Sequence, residues 1–312
     1  MAGLLAPTEQ SADGQFTRQE DAFRGWVRAD GTGPFPAARG RYHLYVSLAC
    51  PWAHRIVIVW RLKGLESAIG LTVVDPVRDE RGWAFHDGPG YSHDPVNGFA
   101  FLNEAYRATD PTFQGRASVP VLWDKETSKI VSNSDDDLLR MLGHEFDAFA
   151  ACPELDLYPT AHRAEVDMLN ERIYETVNNG VYRAGFATTQ AAYEAAVHPL
   201  FDTLDFLEER LATRRYLFGV QPLETDWRLF VTLVRFDVAY FGLFKCNLHR
   251  VADYSHLFGY LRDLYQVPRV AATVDFEQIK RAYYFNHDDI NPTRIVPAGP
   301  IQDLATPHGR ER

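Results

Sequence analysis

The chain has few cysteines, no excess of positive charge and no long apolar run. Its three cysteines, Cys50, Cys152 and Cys246, are odd in number and far apart, which disfavours a disulfide framework and favours a reducing, cytoplasmic setting. The net charge of −10 disfavours a nucleic-acid or anionic-membrane partner. No stretch approaches the roughly 20 apolar residues of a membrane span. Residues 1–15 lack a basic region followed by an apolar one, so we expect no signal peptide.

The length of 312 residues and a hydrophobic content of 46% predict a globular protein of two domains. We predict an irregular arm (1–40), an α/β domain (41–150) with a long insertion at about 76–117, and an all-helical domain with a C-terminal tail (151–312). The predicted strands are 41–46, 69–74, 118–123 and 129–132, and the predicted helices are 51–64, 161–178, 191–214, 226–244 and 257–266. Pro199 predicts either a kink or a joint between two helices.

Cys50 is the residue most suggestive of chemistry. It lies between a predicted strand and a helix that begins at Pro51 or Trp52. A sulfur at a helix N-terminus faces unpaired N–H groups and the positive end of the helix dipole, and both favour the thiolate. The alternative is a small buried residue that closes a strand. Because Ala53 occupies the second position of a Cys-x-x-Cys spacing, the thiol that resolves a mixed disulfide on Cys50 must come from outside the chain.

Two further motifs carry both a structural and a functional interpretation. Pro120, between Val119 and Val121, marks either a strand edge or a cis proline whose neighbouring backbone pairs with a peptide-like thiol. Ser134 and Asp137 fit the N-cap and N3 positions of a helix. The hydroxyl of Ser134 and the carboxylate of Asp135 also suit a ligand's ammonium group, and both roles can hold at once.

Tyr182 is set in an unusual context among the 15 tyrosines. It lies between Gly180 and Gly185, in what we expect to be a loop between two helices. Most tyrosines simply pack with the hydroxyl at a partner or at the surface. A tyrosine in this context also suits proton donation to a leaving group, or a hydrogen bond to a thiolate.

The chain resembles the Xi class of glutathione transferases, the glutathionyl-hydroquinone reductases. The resemblance rests on Ser-Leu-Ala-Cys-Pro-Trp-Ala-His-Arg at 47–55 and on the segments 119–124, 130–133, 179–187, 226–230, 233–237, 244–247 and 283–292. It implies a thioredoxin-like N-terminal domain, an all-helical glutathione-transferase C-terminal domain and a homodimer. It also implies that glutathione and glutathionylated quinols are the substrates, with no metal, flavin or nicotinamide.

The resemblance further implies a role for each site residue. Cys50 would attack the glutathione sulfur of an S-glutathionyl-hydroquinone, and a second glutathione would regenerate it. Tyr182 would donate a proton to the departing quinol carbon, while Tyr240 and Tyr283 would help to stabilise the Cys50 thiolate. The residues expected to bind the glutathionyl part are Trp83, Arg116, Val119, Pro120, Ser134 and Asp135.

The chain departs from the family pattern at two places. The family usually has Glu-Ser where this chain has Ser134-Asp135. Glutathione binding survives if the two residues exchange roles; otherwise the site is tuned to another thiol such as mycothiol. Leu223 replaces the usual Ser or Thr cap of the following helix, a loss of about 1 kcal/mol.

Three other functions compete with the reductase. A conventional transferase would use Ser or Tyr to activate glutathione, and Cys50 disfavours it. General glutaredoxin-like dethiolation shares the Cys50 chemistry but does not need Tyr182. A non-enzymatic scaffold of the same fold would need neither residue.

Overall fold

The computed structural model describes residues 9–311. The first eight residues, which belong to the predicted arm and to the segment without a signal pattern, and residue 312 lie outside the described part. The described chain divides into two compact units. The first contains residues 19–156 and 272–286, and the second contains residues 9–18, 157–271 and 287–311.

A four-stranded mixed sheet forms the centre of the first unit. Its strands are β1 (Tyr42–Val46), β2 (Gly70–Val73), β3 (Val121–Asp124) and β4 (Lys129–Ser132), in the order β2-β1-β3-β4. Strands β1 and β2 are parallel because helix α1 (Pro51–Leu62) forms the crossover between them, whereas β3 and β4 are antiparallel to their neighbours. All four predicted strands are present, with shifts of up to three residues at their ends.

Two more helices belong to this part of the chain. Helix α2 (Leu102–Thr109) lies inside the segment 76–117, where an irregular insertion is expected, and so that expectation is wrong over these eight residues. Its buried Leu102, Ala105 and Tyr106 are spaced at three and four residues, a short helical signal that is easily missed. Helix α3 (Asp135–Arg140) follows β4.

The predicted arm is irregular from residue 9 to residue 40, as expected. Part of it borders the sheet beside β4. Gly25 N donates to Val131 O at 2.8 Å, and Asn133 N donates to Phe23 O at 3.0 Å. The backbone of the arm therefore satisfies donors and acceptors that β4 would otherwise leave open at the sheet edge.

The second unit is helical. Its helices are α4 (Arg163–Ile173, continued by a wider turn to Asn178), α5 (Gly180–Gly185), α6 (Gln190–Leu211), α7 (Glu224–Arg235, continued to Tyr240) and α8 (Ser255–Gln266). Pro199 lies inside α6, so it does not mark a joint between two helices. Buried Val197, Leu200 and Leu204 on both sides of it keep one continuous apolar face, which outweighs the hydrogen bond that proline cannot make.

Helix α9 (Phe276–Asn286) returns to the first unit, although the sequence assigns residues 272–286 to the helical domain. Its side chains bind backbone groups of the insertion. Asn286 donates to Pro76 O at 2.8 Å and accepts from Arg78 N at 2.9 Å. Gln278 donates to Pro89 O, and these bonds pair polar groups that are distant in sequence. A pattern of local periodicity cannot reveal such contacts.

The N-terminus of α7 lacks a hydroxyl cap because Leu223 precedes it, as the sequence indicates. Asp226 nevertheless accepts hydrogen bonds from Leu223 N at 2.8 Å, Leu217 N at 3.0 Å and Tyr260 Oη at 2.7 Å. Complete burial raises the pKa of Asp226 from 3.8 to about 6. The folded state therefore holds this proton more tightly than the unfolded chain, and the residue's contribution to stability falls as pH rises through that interval.

Within residues 9–311, no helix combines the length and the hydropathy needed to cross a membrane.

Replacing Asp226 with alanine is expected to lower the free energy of unfolding by about 2–4 kcal/mol, because three buried donors lose their acceptor. Urea unfolding followed by circular dichroism measures this change. The matched control is Asp253→Ala, which removes an exposed carboxylate paired with Arg250 and should lower the free energy of unfolding much less than Asp226→Ala does. Equal losses in the two variants would contradict the structural role given to Asp226.

Candidate active site

Cys50 lies at the N-cap position of α1, as predicted, and is half-buried. Its Sγ is 3.6 Å from the Val119 carbonyl oxygen, a contact in which the thiol donates. Its own carbonyl accepts from His54 N at 2.9 Å, which fixes the residue to the first turn of the helix. The sulfur therefore lies at the amino end of α1, which is the positive end of the helix dipole.

The Val119–Pro120 peptide bond is cis, which is the second of the two alternatives left open by the sequence. Both residues are buried immediately before β3, and Val119 is the residue that contacts Cys50. The structure thus brings together the predicted nucleophile and the predicted backbone site for a peptide-like thiol, which are about 70 residues apart in the chain.

Ser134 is the N-cap of α3, as predicted, and its hydroxyl accepts from Asp137 N at 3.4 Å. Asp135 and Asp136 follow in the first turn, and both carboxylates form ion pairs with Arg55. The guanidinium of Arg55 extends from α1 and is almost fully buried, with 1% of its side chain exposed. A buried cation therefore holds Asp135 in place and offsets part of the acidic charge at this helix end.

Asp21 is a member of this polar group that the sequence does not reveal. Its carboxylate forms a side-chain hydrogen bond with Ser134, and it accepts from Asn133 Nδ2 at 3.5 Å. Although the residue as a whole reaches the surface, partial desolvation of the carboxyl raises its pKa. Asp21 belongs to an arm without periodicity, so only the folded structure shows that it lies next to the Ser134–Asp135 pair.

Trp83 and Arg116 belong to the same unit as Cys50. Trp83 is 6% exposed, its ring lies 4.6 Å from the guanidinium carbon of Arg78, and its Nε1 is buried without a hydrogen-bond partner within residues 9–311. Arg116 is half-buried, and its backbone N–H donates to Gln19 Oε1 at 2.8 Å. An indole N–H without an acceptor is a feature that a bound ligand can satisfy.

The three predicted catalytic tyrosines divide between the two units. Tyr182 and Tyr240 belong to the helical unit, where their hydroxyl oxygens are 3.5 Å apart and their rings 5.9 Å apart. Tyr182 lies on α5 rather than in the expected loop, because the short helix runs between the two glycines. Tyr283 lies on α9 in the unit of Cys50 and is 5% exposed.

The Tyr182–Tyr240 pair is part of an aromatic cluster. Phe244 stacks on Tyr240 with ring centroids 5.5 Å apart, and it is also 5.5 Å from Tyr182. A Cβ atom on Gly185 would lie 2.2 Å from the Phe244 ring, so glycine is needed for this approach. Close packing against Phe244 therefore explains the glycine at position 185, which the sequence pattern alone does not explain.

Within the described part of the chain, no three or more His, Cys, Asp and Glu side chains are grouped so that they could hold a metal ion.

Comparisons with known proteins identify the family of this chain. Residues 49–145 match the family model "Glutathione S-transferase, N-terminal domain", and residues 190–263 match "Glutathione S-transferase, C-terminal domain". The chain is 50% identical over 309 residues to glutathionyl-hydroquinone reductase YqjG of Escherichia coli, covering 97% of this chain and 94% of that protein. It is 48% identical to glutathionyl-hydroquinone reductase PcpF of Sphingobium chlorophenolicum, covering 95% and 93%.

Solved structures identify the class. The glutathione transferase Xi of Phanerochaete chrysosporium superimposes with a TM-score of 0.92 at 47% identity, covering 96% of each chain. The glutathione-bound structure of YqjG superimposes with a TM-score of 0.90 at 51% identity, covering 93% of this chain and 96% of that one. This chain belongs to the Xi class of glutathione transferases. The predicted fold of this Xi-class protein, a thioredoxin-like domain followed by an all-helical glutathione-transferase domain, is confirmed.

In the native Xi-class protein, Cys50 is expected to react with iodoacetamide about tenfold faster than Cys152, because its sulfur lies at a helix N-terminus. Cys246 is expected not to react, since it is fully buried and burial raises the pKa of its thiol. Peptide mapping by mass spectrometry measures the three rates. Protein unfolded in urea is the control, in which all three should react alike; preferential labelling of native Cys152 would contradict the account.

Proposed function

We propose that this protein is a glutathionyl-hydroquinone reductase that works through a mixed disulfide between Cys50 and glutathione. The observation that carries the proposal is the position of Cys50 at the N-terminus of α1 beside Val119, with Ala53 in place of a second cysteine. A site with one thiol cannot resolve its own mixed disulfide, so it requires an external thiol as co-substrate. The two reductases named above support the same activity for this chain.

The first half-reaction breaks the carbon–sulfur bond of the S-glutathionyl-hydroquinone. The Cys50 thiolate attacks the glutathione sulfur, so that a disulfide forms while the carbon–sulfur electron pair stays on the quinol carbon. Tyr182 donates its phenolic proton to that carbon and releases the free hydroquinone. The quinol carbon gains a proton and an electron pair, and the two sulfurs are oxidised to the disulfide.

The second half-reaction restores the enzyme. A second glutathione thiolate attacks the glutathione sulfur of the mixed disulfide, which releases glutathione disulfide and returns the Cys50 thiolate. Tyr182 recovers its proton from solvent. The sum is one glutathionyl-hydroquinone and one glutathione converted to one hydroquinone and one glutathione disulfide.

We assign the remaining residues to binding and to the thiolate. Trp83, Arg116 and the backbone of Val119 hold glutathione, Arg116 through a carboxylate, which suits a guanidinium. Pro120 keeps the Val119 backbone beside Cys50. Tyr240 and Tyr283 supply hydroxyl groups that stabilise the thiolate.

We propose glutathione as the thiol in spite of the Ser134–Asp135 departure. Asp135 is held by Arg55, and Asp21 hydrogen-bonds with Ser134, so several acidic oxygens lie close together at the start of α3. This supports our assignment of the γ-glutamyl ammonium to this group, because an ammonium needs such acceptors. The glutathione-bound structure of YqjG supports the same ligand class. Mycothiol, which lacks the γ-glutamyl group, is the alternative that the departure favours.

We also propose that the protein is a cytoplasmic homodimer. The cytoplasmic location is supported by its three cysteines, none of which forms a disulfide. The homodimer is supported by the family resemblance.

Two substitutions separate this function from its competitors. Cys50→Ser is expected to lower the turnover of S-glutathionyl-menadiol by about 10³-fold or more, because the nucleophile is lost. Tyr182→Phe is expected to lower the same turnover by about 10²-fold, because the proton donor is lost. The mixed disulfide of glutathione and 2-mercaptoethanol has no quinol carbon to protonate, so Tyr182→Phe should leave its reduction within about twofold of wild type.

Cys152→Ser is the matched control and should retain full activity with both substrates. Reduction of the mixed disulfide without any reduction of S-glutathionyl-menadiol by the wild type would indicate a general dethiolating enzyme. Unchanged activity of Cys50→Ser would overturn the proposal.

A further inference from the structure

The first described residues of the arm belong to the helical unit and lie along α5 and the start of α6. Gln10 Nε2 donates to Phe186 O at 2.8 Å, and Thr188 N donates to Gly14 O at 3.1 Å. Thr189, the N-cap of α6, donates its hydroxyl to Asp13 O at 3.0 Å. These bonds fix the course of residues 9–18 beside the helix that carries Tyr182.

Arg18, at the end of this segment, lies on the ring of Tyr182. Its guanidinium carbon is 4.8 Å from the Tyr182 ring centroid and 5.3 Å from that of Phe16. Its Nε donates to Asn179 Oδ1 at 3.0 Å, and Asn179 immediately precedes α5. The guanidinium is therefore held by two aromatic rings and one amide, a more defined position than a surface arginine usually has.

Charge makes this placement relevant to proton transfer. Arginine stays protonated at any pH at which the enzyme works. When Tyr182 gives up its proton, negative charge develops on the phenol oxygen and spreads into the ring. A fixed cation against the ring face stabilises that charge more than it stabilises the neutral phenol, which is the condition for lowering a barrier.

We propose that Arg18 is a positioning residue for the reductase reaction, which holds the Tyr182 ring and stabilises the negative charge formed when Tyr182 protonates the quinol carbon. The inference rests on the proposed function, because it assigns Arg18 to the step that frees the hydroquinone. Arg18 has no part in the attack of Cys50 or in the release of glutathione disulfide. Its effect is therefore confined to substrates that need the proton of Tyr182.

Arg18→Gln is expected to lower kcat for S-glutathionyl-menadiol by about tenfold, the effect of one partly desolvated cation–π contact. Reduction of the mixed disulfide of glutathione and 2-mercaptoethanol should stay within about twofold of wild type. Arg18→Lys keeps the charge and should recover most of the lost kcat. Arg183→Gln is the matched control, because it removes a half-buried cation of α5, the helix that carries Tyr182. It should behave as wild type with both substrates.

A double-mutant cycle separates an effect through Tyr182 from a general structural one. In the Tyr182→Phe background, Arg18→Gln should cause less than about a twofold further loss, because the group that it supports is absent. A full tenfold loss in that background, or equal losses with the two substrates, would overturn the proposal. If Arg18→Gln does not fold, the test uses Arg18→Lys instead. A kcat of Arg18→Lys as low as that of Tyr182→Phe would contradict the proposal. Wild type that does not reduce S-glutathionyl-menadiol would instead reject the proposed function itself.

Discussion

The junction between β1 and α1, where Cys50 lies, is the constraint on which the arrangement of the first unit depends. Parallel strands β1 and β2 require a crossover helix, and that helix begins at Pro51, directly after Cys50. The segment before β3 then places the Val119 carbonyl 3.6 Å from the sulfur. Fold and chemistry thus share one junction, because the turn that starts the helix also supplies the dipole that favours a thiolate.

A second constraint is the buried charge of Arg55. Arg55 lies on α1 two residues after Ala53, and its guanidinium is paired with the carboxylates of Asp135 and Asp136 of α3. Removing either carboxylate would leave this buried guanidinium less well compensated, which is destabilising. The acidic turn that follows β4 is therefore structural as well as a candidate binding surface, and a substitution at Asp135 would affect both properties.

Much of this organisation can be predicted from the sequence, for identifiable reasons. The strands and the main helices follow from local periodicity, and the Cys50 junction follows from the order of a strand, a proline and a helix. The features that could not be predicted from the sequence depend on contacts between residues that are distant in the chain. Helix α9 belongs to the first unit because Asn286 binds the backbone near Pro76, and Arg18 reaches Tyr182 because residues 9–18 follow the surface of the helical unit. An irregular segment carries no periodic signal, so the positions of its polar side chains appear only after folding.

The central claim is that Cys50 forms a covalent disulfide with the glutathione part of a glutathionylated quinol. The most direct measurement is the intact mass of the reduced protein after the first half-reaction, with S-glutathionyl-menadiol present and no added glutathione. The account predicts a gain of one glutathione on Cys50 and release of one equivalent of menadiol. If glutathione does not add to Cys50 but a mycothiol conjugate does, the mixed-disulfide mechanism stands and the assignment of glutathione as the thiol is contradicted. No adduct with either conjugate would contradict the central claim.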